Sequence, residues 1–71
     1  MVDRKRLQEI IEESGMTLEA LGRKSGIKPY TIRRRLDGDG EFTVPEMVGL
    51  TKALKLSKSL QRDIFLRDSV T

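Results

Sequence analysis

Apolar residues recur along the chain at the three- and four-residue spacing of amphipathic helices. In the first segment, Leu7, Ile10 and Ile11 share one helical face. No stretch alternates apolar and polar residues over the length of a strand. We therefore predict an all-α chain that forms a single domain over residues 1–71, with five helices at 2–14, 18–24, 29–36, 44–54 and 58–67.

Residues that favour helix ends stand between these segments. Side-chain oxygens can accept hydrogen bonds from the first N–H groups of a helix, and suitable residues stand at or just before the start of four of the segments: Asp3, Thr17, Thr43 and Ser57. Thr43-Val44-Pro45-Glu46 also has the form of a capping box. Gly15 suits the end of the first helix, and Asp37-Gly38-Asp39-Gly40 predicts a turn after the third.

The segment from Thr17 to Leu36 has the spacing of a helix-turn-helix. Its two short helices are separated by Ser25-Gly26-Ile27, and Gly26 can adopt the positive φ that such a turn needs. Gly22 places no side chain where helix two would pass close to helix three. We expect Ile27 to enter the core between the two helices, because it follows the turn directly.

The positive charge of the chain is concentrated in this same region. Residues 23–35 hold six of the 14 basic residues and none of the 11 acidic ones, so the segment carries +6 in a chain of net charge +3. A domain that collects its positive charge on one element usually binds a polyanion. Charge and helix spacing together indicate nucleic acid.

The composition argues against several other classes of protein. The chain has no Cys and no His, so thiolate and imidazole metal ligands and the usual general base are missing. We find no Gly-rich phosphate loop and no paired carboxylates, and we expect no enzyme, cofactor, metal or small-molecule ligand. No apolar run approaches the roughly 20 residues that span a bilayer, and the first residues lack the apolar part of a secretion signal. We expect a cytoplasmic protein without membrane partners.

The run TLEALGRKSGIKPYTIRRRLDG resembles the helix-turn-helix of phage repressor and Cro-type proteins, a family that includes xenobiotic-response-element-like regulators. The positions that match the usual family run are Thr17, Leu21, Gly26, Ile27, Thr31, Ile32 and Arg34. The C-terminal stretch is similar to that of short phage-encoded members. The resemblance implies a compact five-helix lambda-repressor-like domain that binds double-stranded DNA in a bacterial or phage-infected cell.

Three positions depart from the family run. Leu18 stands in place of Gln at the start of helix two, and Gly22 stands in place of Ala. Lys28 replaces the Ser that normally caps the recognition helix, so we expect a weaker cap and an additional positive charge there. None of these changes breaks the motif.

The recognition helix of this fold lies in the major groove and reads bases from its N-terminal part. With Ile32 facing the core, steps of about 100° place Tyr30 and Arg34 on the opposite side, with Arg33 beside them. We therefore expect base contacts from Tyr30, Arg33 and Arg34, with Pro29 at the edge of this surface. The candidates for phosphate contacts are Arg23, Lys24, Lys28, Thr31, Arg35 and Thr43.

The leading hypothesis is a sequence-specific regulator that binds a pseudo-palindromic operator as a weak homodimer. Phe65, Leu66 and Val70 are more apolar than a small monomer would expose, so they are candidates for the dimer surface. Two alternatives stay open. One is a protein-interaction module that kept the fold without specific DNA binding, and the other is a non-specific nucleic-acid binder. Without a DNA-binding role, the three consecutive arginines Arg33 to Arg35 would simply form a solvated face, and Tyr30 would be a packing residue.

Overall fold

Five α-helices and no strand make up residues 2–65, the part of the chain that the computed structural model describes. They are α1 (Arg4–Ser14), α2 (Leu18–Ser25), α3 (Pro29–Leu36), α4 (Val44–Leu54) and α5 (Lys58–Phe65). The prediction of an all-α chain with five helices is confirmed. No helix within this range is both long and apolar enough to cross a membrane.

The first helix is shorter than predicted, because Asp3 caps it from outside. The Asp3 carboxylate accepts a hydrogen bond from the Arg6 backbone N–H at 3.1 Å, and α1 begins at Arg4 rather than at residue 2. The backbone N–H of Asp3 donates to the carbonyl oxygen of Ile64 at 2.8 Å, and Val2 is buried. The start of the chain is thereby joined to α5.

The remaining boundaries lie close to the predictions. Helix α2 continues one residue further, to Ser25, and ends at Gly26 with a φ of 77°. Thr17 accepts from the Ala20 N–H, and Thr43 and Glu46 form the predicted capping box at the start of α4. The structure describes the fifth helix as far as Phe65, so the last two residues of its predicted range lie outside the described residues.

The core receives side chains from all five helices and from two residues outside them, Val2 and Phe42. Its fully buried members are Leu7, Leu21, Ile32, Leu50 and Ile64. Phe42, in the loop before α4, packs edge to face against Phe65, with ring centroids 6.0 Å apart. This contact links the loop after α3 to the last described helix.

Phe65 is therefore a core residue, and its expected place on a dimer surface is corrected. Phe65 is only 5% exposed, and its ring packs against that of Phe42 within the core. The sequence does not reveal this partner, which stands 23 residues earlier and in a loop. The other two dimer candidates, Leu66 and Val70, lie outside the described residues.

Helix α2 packs against both α3 and α4, and a glycine lies at each contact. At Gly22, an alanine Cβ would lie 2.6 Å from the Ile27 carbonyl oxygen. At Gly49 of α4, an alanine Cβ would collide with the carbonyl oxygen of Ser25. Both contacts are with backbone atoms, which cannot rotate away as a side chain can. These glycines thus set how closely α3 and α4 approach α2.

Candidate nucleic-acid interface

The turn between α2 and α3 is fixed by two backbone hydrogen bonds to one carbonyl group. The N–H groups of Gly26 and Ile27 both donate to the Gly22 carbonyl oxygen, at 2.8 and 3.2 Å. Gly26 adopts the expected positive φ, and the partly buried Ile27 packs against the core. The predicted roles of Gly22 and Gly26 are confirmed, whereas Ile27 packs against the core without being fully buried.

The start of α3 carries no side-chain cap. Lys28 occupies the capping position and makes no capping hydrogen bond, as expected for a side chain that has no acceptor oxygen. Pro29 follows at the first helical position, and two of its ring carbons lie 3.1 Å from where a Cβ of Gly22 would be. Part of the Pro29 ring therefore faces α2. Contact with that helix gives Pro29 a structural role beside its expected place at the edge of the DNA-facing surface.

One face of α3 is buried and the opposite face is open. Ile32 and Leu36 belong to the core, whereas Tyr30 is 71% exposed. Arg34 lies one turn after Tyr30, with its guanidinium carbon 5.7 Å from the centre of the Tyr30 ring. The side chain of Arg33 is about half exposed. Tyr30, Arg33 and Arg34 thus share the outer surface of α3, and Tyr30 does not pack into the core.

The arginines of this face have acidic partners, although residues 23–35 contain no acidic residue. The Nε of Arg34 donates to Oδ2 of Asp39 at 3.0 Å, and Nη1 of Arg33 lies 3.8 Å from Oδ1 of Asp37. The hydrogen bond and the charge of Asp39 raise the pKa of Arg34. Both carboxylates come from the turn directly after α3, just beyond the segment that the charge count covered.

Arg35 is engaged with the protein itself rather than open for a phosphate. Its Nε donates to Oε1 of Glu46 at 3.2 Å, and Nη1 donates to the Asp39 carbonyl oxygen at 3.3 Å. The Arg35 carbonyl oxygen accepts from Nε of Arg4 at 2.9 Å. Its side chain is only 19% exposed. These contacts give Arg35 a structural role that joins α1, α3 and α4.

Glu46 belongs to the same network and to the capping box of α4. Partial burial raises the pKa of its carboxyl group. The hydrogen bond from the Thr43 backbone N–H and the hydrogen bond and charge of Arg35 outweigh that effect, so the pKa lies below its usual value of 4.5. The Thr43 hydroxyl oxygen accepts from the Glu46 N–H at 3.3 Å. Thr43, a phosphate candidate, is exposed and therefore combines accessibility with its capping role.

Three basic candidates keep their charges available to solvent. Arg23, Lys24 and Lys28 are exposed and make no ion pair with the residues that the structure describes. Arg23 and Lys28 line the same open groove of about 360 Å³, which runs between α2 and the start of α3 and also contains Glu19. Thr31, the last phosphate candidate, is partly buried. The structure therefore brings Arg23 and Lys28 together beside α3.

Comparison of the chain with protein-family models, with curated proteins and with solved structures finds no match. The functional interpretation therefore depends on the residues themselves.

Sequence reasoning missed the contribution of the turn Asp37-Gly38-Asp39-Gly40 to this surface. Arg33 and Asp37 are four residues apart, a spacing that brings opposite charges together at a helix end, so this pair could have been found. The contact of Arg34 with Asp39 carries a weaker signal. This contact requires the chain to bend back toward α3 at Gly38 and Gly40, which adopt φ values of 88° and 96°.

Proposed function

We propose that this protein is a sequence-specific double-stranded DNA-binding transcriptional regulator of the Cro or small-repressor type. In this proposal α2 and α3 form the helix-turn-helix of a lambda-repressor-like domain, and α3 enters the major groove. The observation that carries the proposal is the outer face of α3. Tyr30, Arg33 and Arg34 lie there together, while Ile32 and Leu36 anchor the helix in the core.

The chemistry of these side chains suits base recognition. The structure shows no partner for the two terminal nitrogens of Arg34 among the described residues, since its acidic contact uses Nε. Two such N–H groups can bind O6 and N7 of guanine, a contact worth about 1–3 kcal/mol of discrimination. The exposed ring of Tyr30 could contact a thymine methyl group. The DNA sequence read by this surface would therefore contain a guanine close to a thymine.

Phosphate contacts would flank this face. Arg23 and Lys28 lie on one side of α3, at the groove beside α2, and Thr43 begins α4. Each phosphate that a cation neutralises should add a slope of about −0.9 to the salt dependence of the affinity. Arg35 is not one of these phosphate contacts, because its guanidinium group already donates to Glu46 and to the Asp39 carbonyl oxygen.

A dimer on a two-fold symmetric operator stays part of the proposal. Because Phe65 is buried, the dimer interface would be formed by other residues. Apart from Tyr30, the large apolar side chains exposed in the described part of the chain are Val44 and Val48 on α4. These two residues are four apart and so lie on one side of that helix. Selected half-sites about one helical turn apart would support a dimer on DNA.

The test is selection of bound sequences from a random duplex-DNA pool at about 150 mM salt, where non-specific binding is already weakened. We expect an enriched motif with two-fold symmetry. On that motif, Arg33→Ala and Arg34→Ala should each weaken binding by roughly 5- to 100-fold. Arg62→Ala is the matched control, because Arg62 is exposed on α5 and has no acidic partner among the described residues. If all three variants bound the motif equally well, α3 would not be the reading helix.

A protein-interaction module is the second candidate, and the acidic contacts of α3 favour it. Arg33 and Arg34 already hold carboxylates in the folded chain, so an acidic protein surface could replace Asp37 and Asp39 there. This candidate predicts binding to an acidic protein surface and no enriched DNA motif. Affinity for any duplex at low salt, with a steep loss of binding as the salt concentration rises, would instead indicate the non-specific nucleic-acid binder.

A further inference from the structure

The turn after α3 is built so that a carboxylate lies against the arginine at the centre of the exposed face. The backbone N–H of Asp39 donates to the Arg34 carbonyl oxygen at 2.9 Å, and that of Gly38 donates to the Arg35 carbonyl oxygen at 3.1 Å. Gly38 and Gly40 have positive φ, a conformation that few other residues tolerate. The backbone therefore fixes where the Asp39 side chain begins.

Close packing adds a second constraint on this turn. An alanine Cβ at Gly40 would collide with the Nη1 atom of Arg35, which crosses the turn to reach the Asp39 carbonyl oxygen. Arg35 is held in turn by Glu46. The position of Asp39 is thus set by hydrogen bonds on both sides of the turn rather than by its own ion pair alone.

Arg34 contacts two groups, an aromatic ring and a carboxylate. Tyr30 lies under its guanidinium group, and the Asp39 carboxylate accepts a hydrogen bond from its Nε. This arrangement limits the rotamers of a side chain that otherwise has many. It also occupies the one nitrogen that is not needed for an end-on contact with guanine. A negative charge at this point repels any phosphate that approaches Arg34 instead of a base.

We propose that Asp39 is a specificity-determining residue, which positions Arg34 for a base contact and opposes its use as a phosphate contact. The inference rests on the proposed function and deepens it. Asp39 touches no DNA in this proposal and acts through Arg34. Its effect is to strengthen binding to the correct sequence relative to other duplexes, rather than to strengthen binding in general.

The experiment compares Asp39→Asn with the wild-type protein on the selected motif and on a scrambled duplex, over a range of salt concentrations. Asparagine keeps the size of the side chain and removes its charge. We expect the ratio of specific to non-specific affinity to fall by about tenfold, because the hydrogen bond that orients Arg34 weakens when its acceptor loses the charge. We expect the salt slope on the scrambled duplex to steepen by about 0.9, since the released Arg34 can bind one more phosphate.

Asp63→Asn is the matched control. It makes the same change of charge at an exposed residue of α5, which has no ion pair among the described residues. Equal effects of Asp39→Asn and Asp63→Asn would overturn the inference, since only net charge would then matter. A thermal melt of each variant verifies that both remain folded.

The double variant Arg34→Ala/Asp39→Asn shows whether Asp39 acts through Arg34. If it does, Asp39→Asn should change neither the affinity ratio nor the salt slope once Arg34 is absent. An undiminished effect in that background would refute a positioning role. Failure of the proposed function appears earlier and differently, as the absence of any enriched motif with the wild-type protein, and in that event the inference falls with it.

Discussion

Replacing Gly22 by alanine adds one methyl group where α2 meets the turn that leads to α3. The new Cβ would lie 2.6 Å from the Ile27 carbonyl oxygen and 3.1 Å from two ring carbons of Pro29. Neither neighbour can move away easily. The Ile27 N–H is bonded to the Gly22 carbonyl oxygen, and Pro29 is the first residue of α3. The methyl group must therefore displace α3 from α2.

Two opposing effects set the size of the change in stability. Alanine favours a helix over glycine by up to about 1 kcal/mol. Overpacking at a close contact costs about 1–3 kcal/mol, and a distance of 2.6 Å to a backbone oxygen places Gly22→Ala near the upper end of that range. We expect a net loss of about 1–2 kcal/mol in the free energy of unfolding. For a domain of this size, the melting temperature should fall by roughly 4–16 °C.

The assay is urea and thermal unfolding followed by far-UV circular dichroism. The controls are Arg23→Ala and Arg23→Gly, at the exposed neighbouring position of the same helix. The difference between them measures how much α2 gains from alanine over glycine when no contact is made. If Gly22→Ala stabilised the protein by that same amount, the close approach of α2 and the turn would be refuted. A drop in DNA affinity larger than the loss of folded protein would indicate that α3 has also changed its angle.

Three further predictions concern the capping box and the aromatic contact. The pKa of Glu46 is lowered by folding, so the stability it contributes is complete above its unfolded pKa and is lost as the pH falls through its folded pKa. Urea unfolding should therefore show Glu46→Gln to be less stable than wild type at about pH 7, and the difference should shrink as the pH falls through the folded pKa of Glu46. A difference that did not change with pH would show that the charge of Glu46, and with it the Arg35 ion pair, is not its source. Thr43→Ala should lose about 1 kcal/mol in the same assay, because the cap of α4 is removed, and an unchanged unfolding curve would contradict the capping role. Phe65→Glu should lower the free energy of unfolding by at least about 3 kcal/mol, because the contact with Phe42 is lost and a charge is buried. If the variant were a normally folded monomer in circular dichroism and sedimentation, the buried position of Phe65 would be wrong.

Short-range signals in the sequence determined most of the helical organisation. Asp3, Thr17 and Thr43 cap the helices that they precede, and Gly26 ends α2 in the left-handed conformation. Such signals are readable because a cap or a turn involves residues only two to four positions apart, whose geometry the backbone fixes. The buried and open faces of α3 follow in the same way from the 3.6-residue period, which placed Ile32 inward and Tyr30 outward.

The partners of charged and aromatic side chains depended on the tertiary structure. Arg35 meets Glu46 across 11 positions of sequence, and Phe65 meets Phe42 across 23. Arg4 reaches the Arg35 carbonyl oxygen across 31. No local pattern specifies such pairs, because they exist only once the helices have packed at particular distances and angles. The sequence therefore determined which residues α3 turns outward, and the packing of the loop and of α4 decided which of its arginines stay available to a ligand.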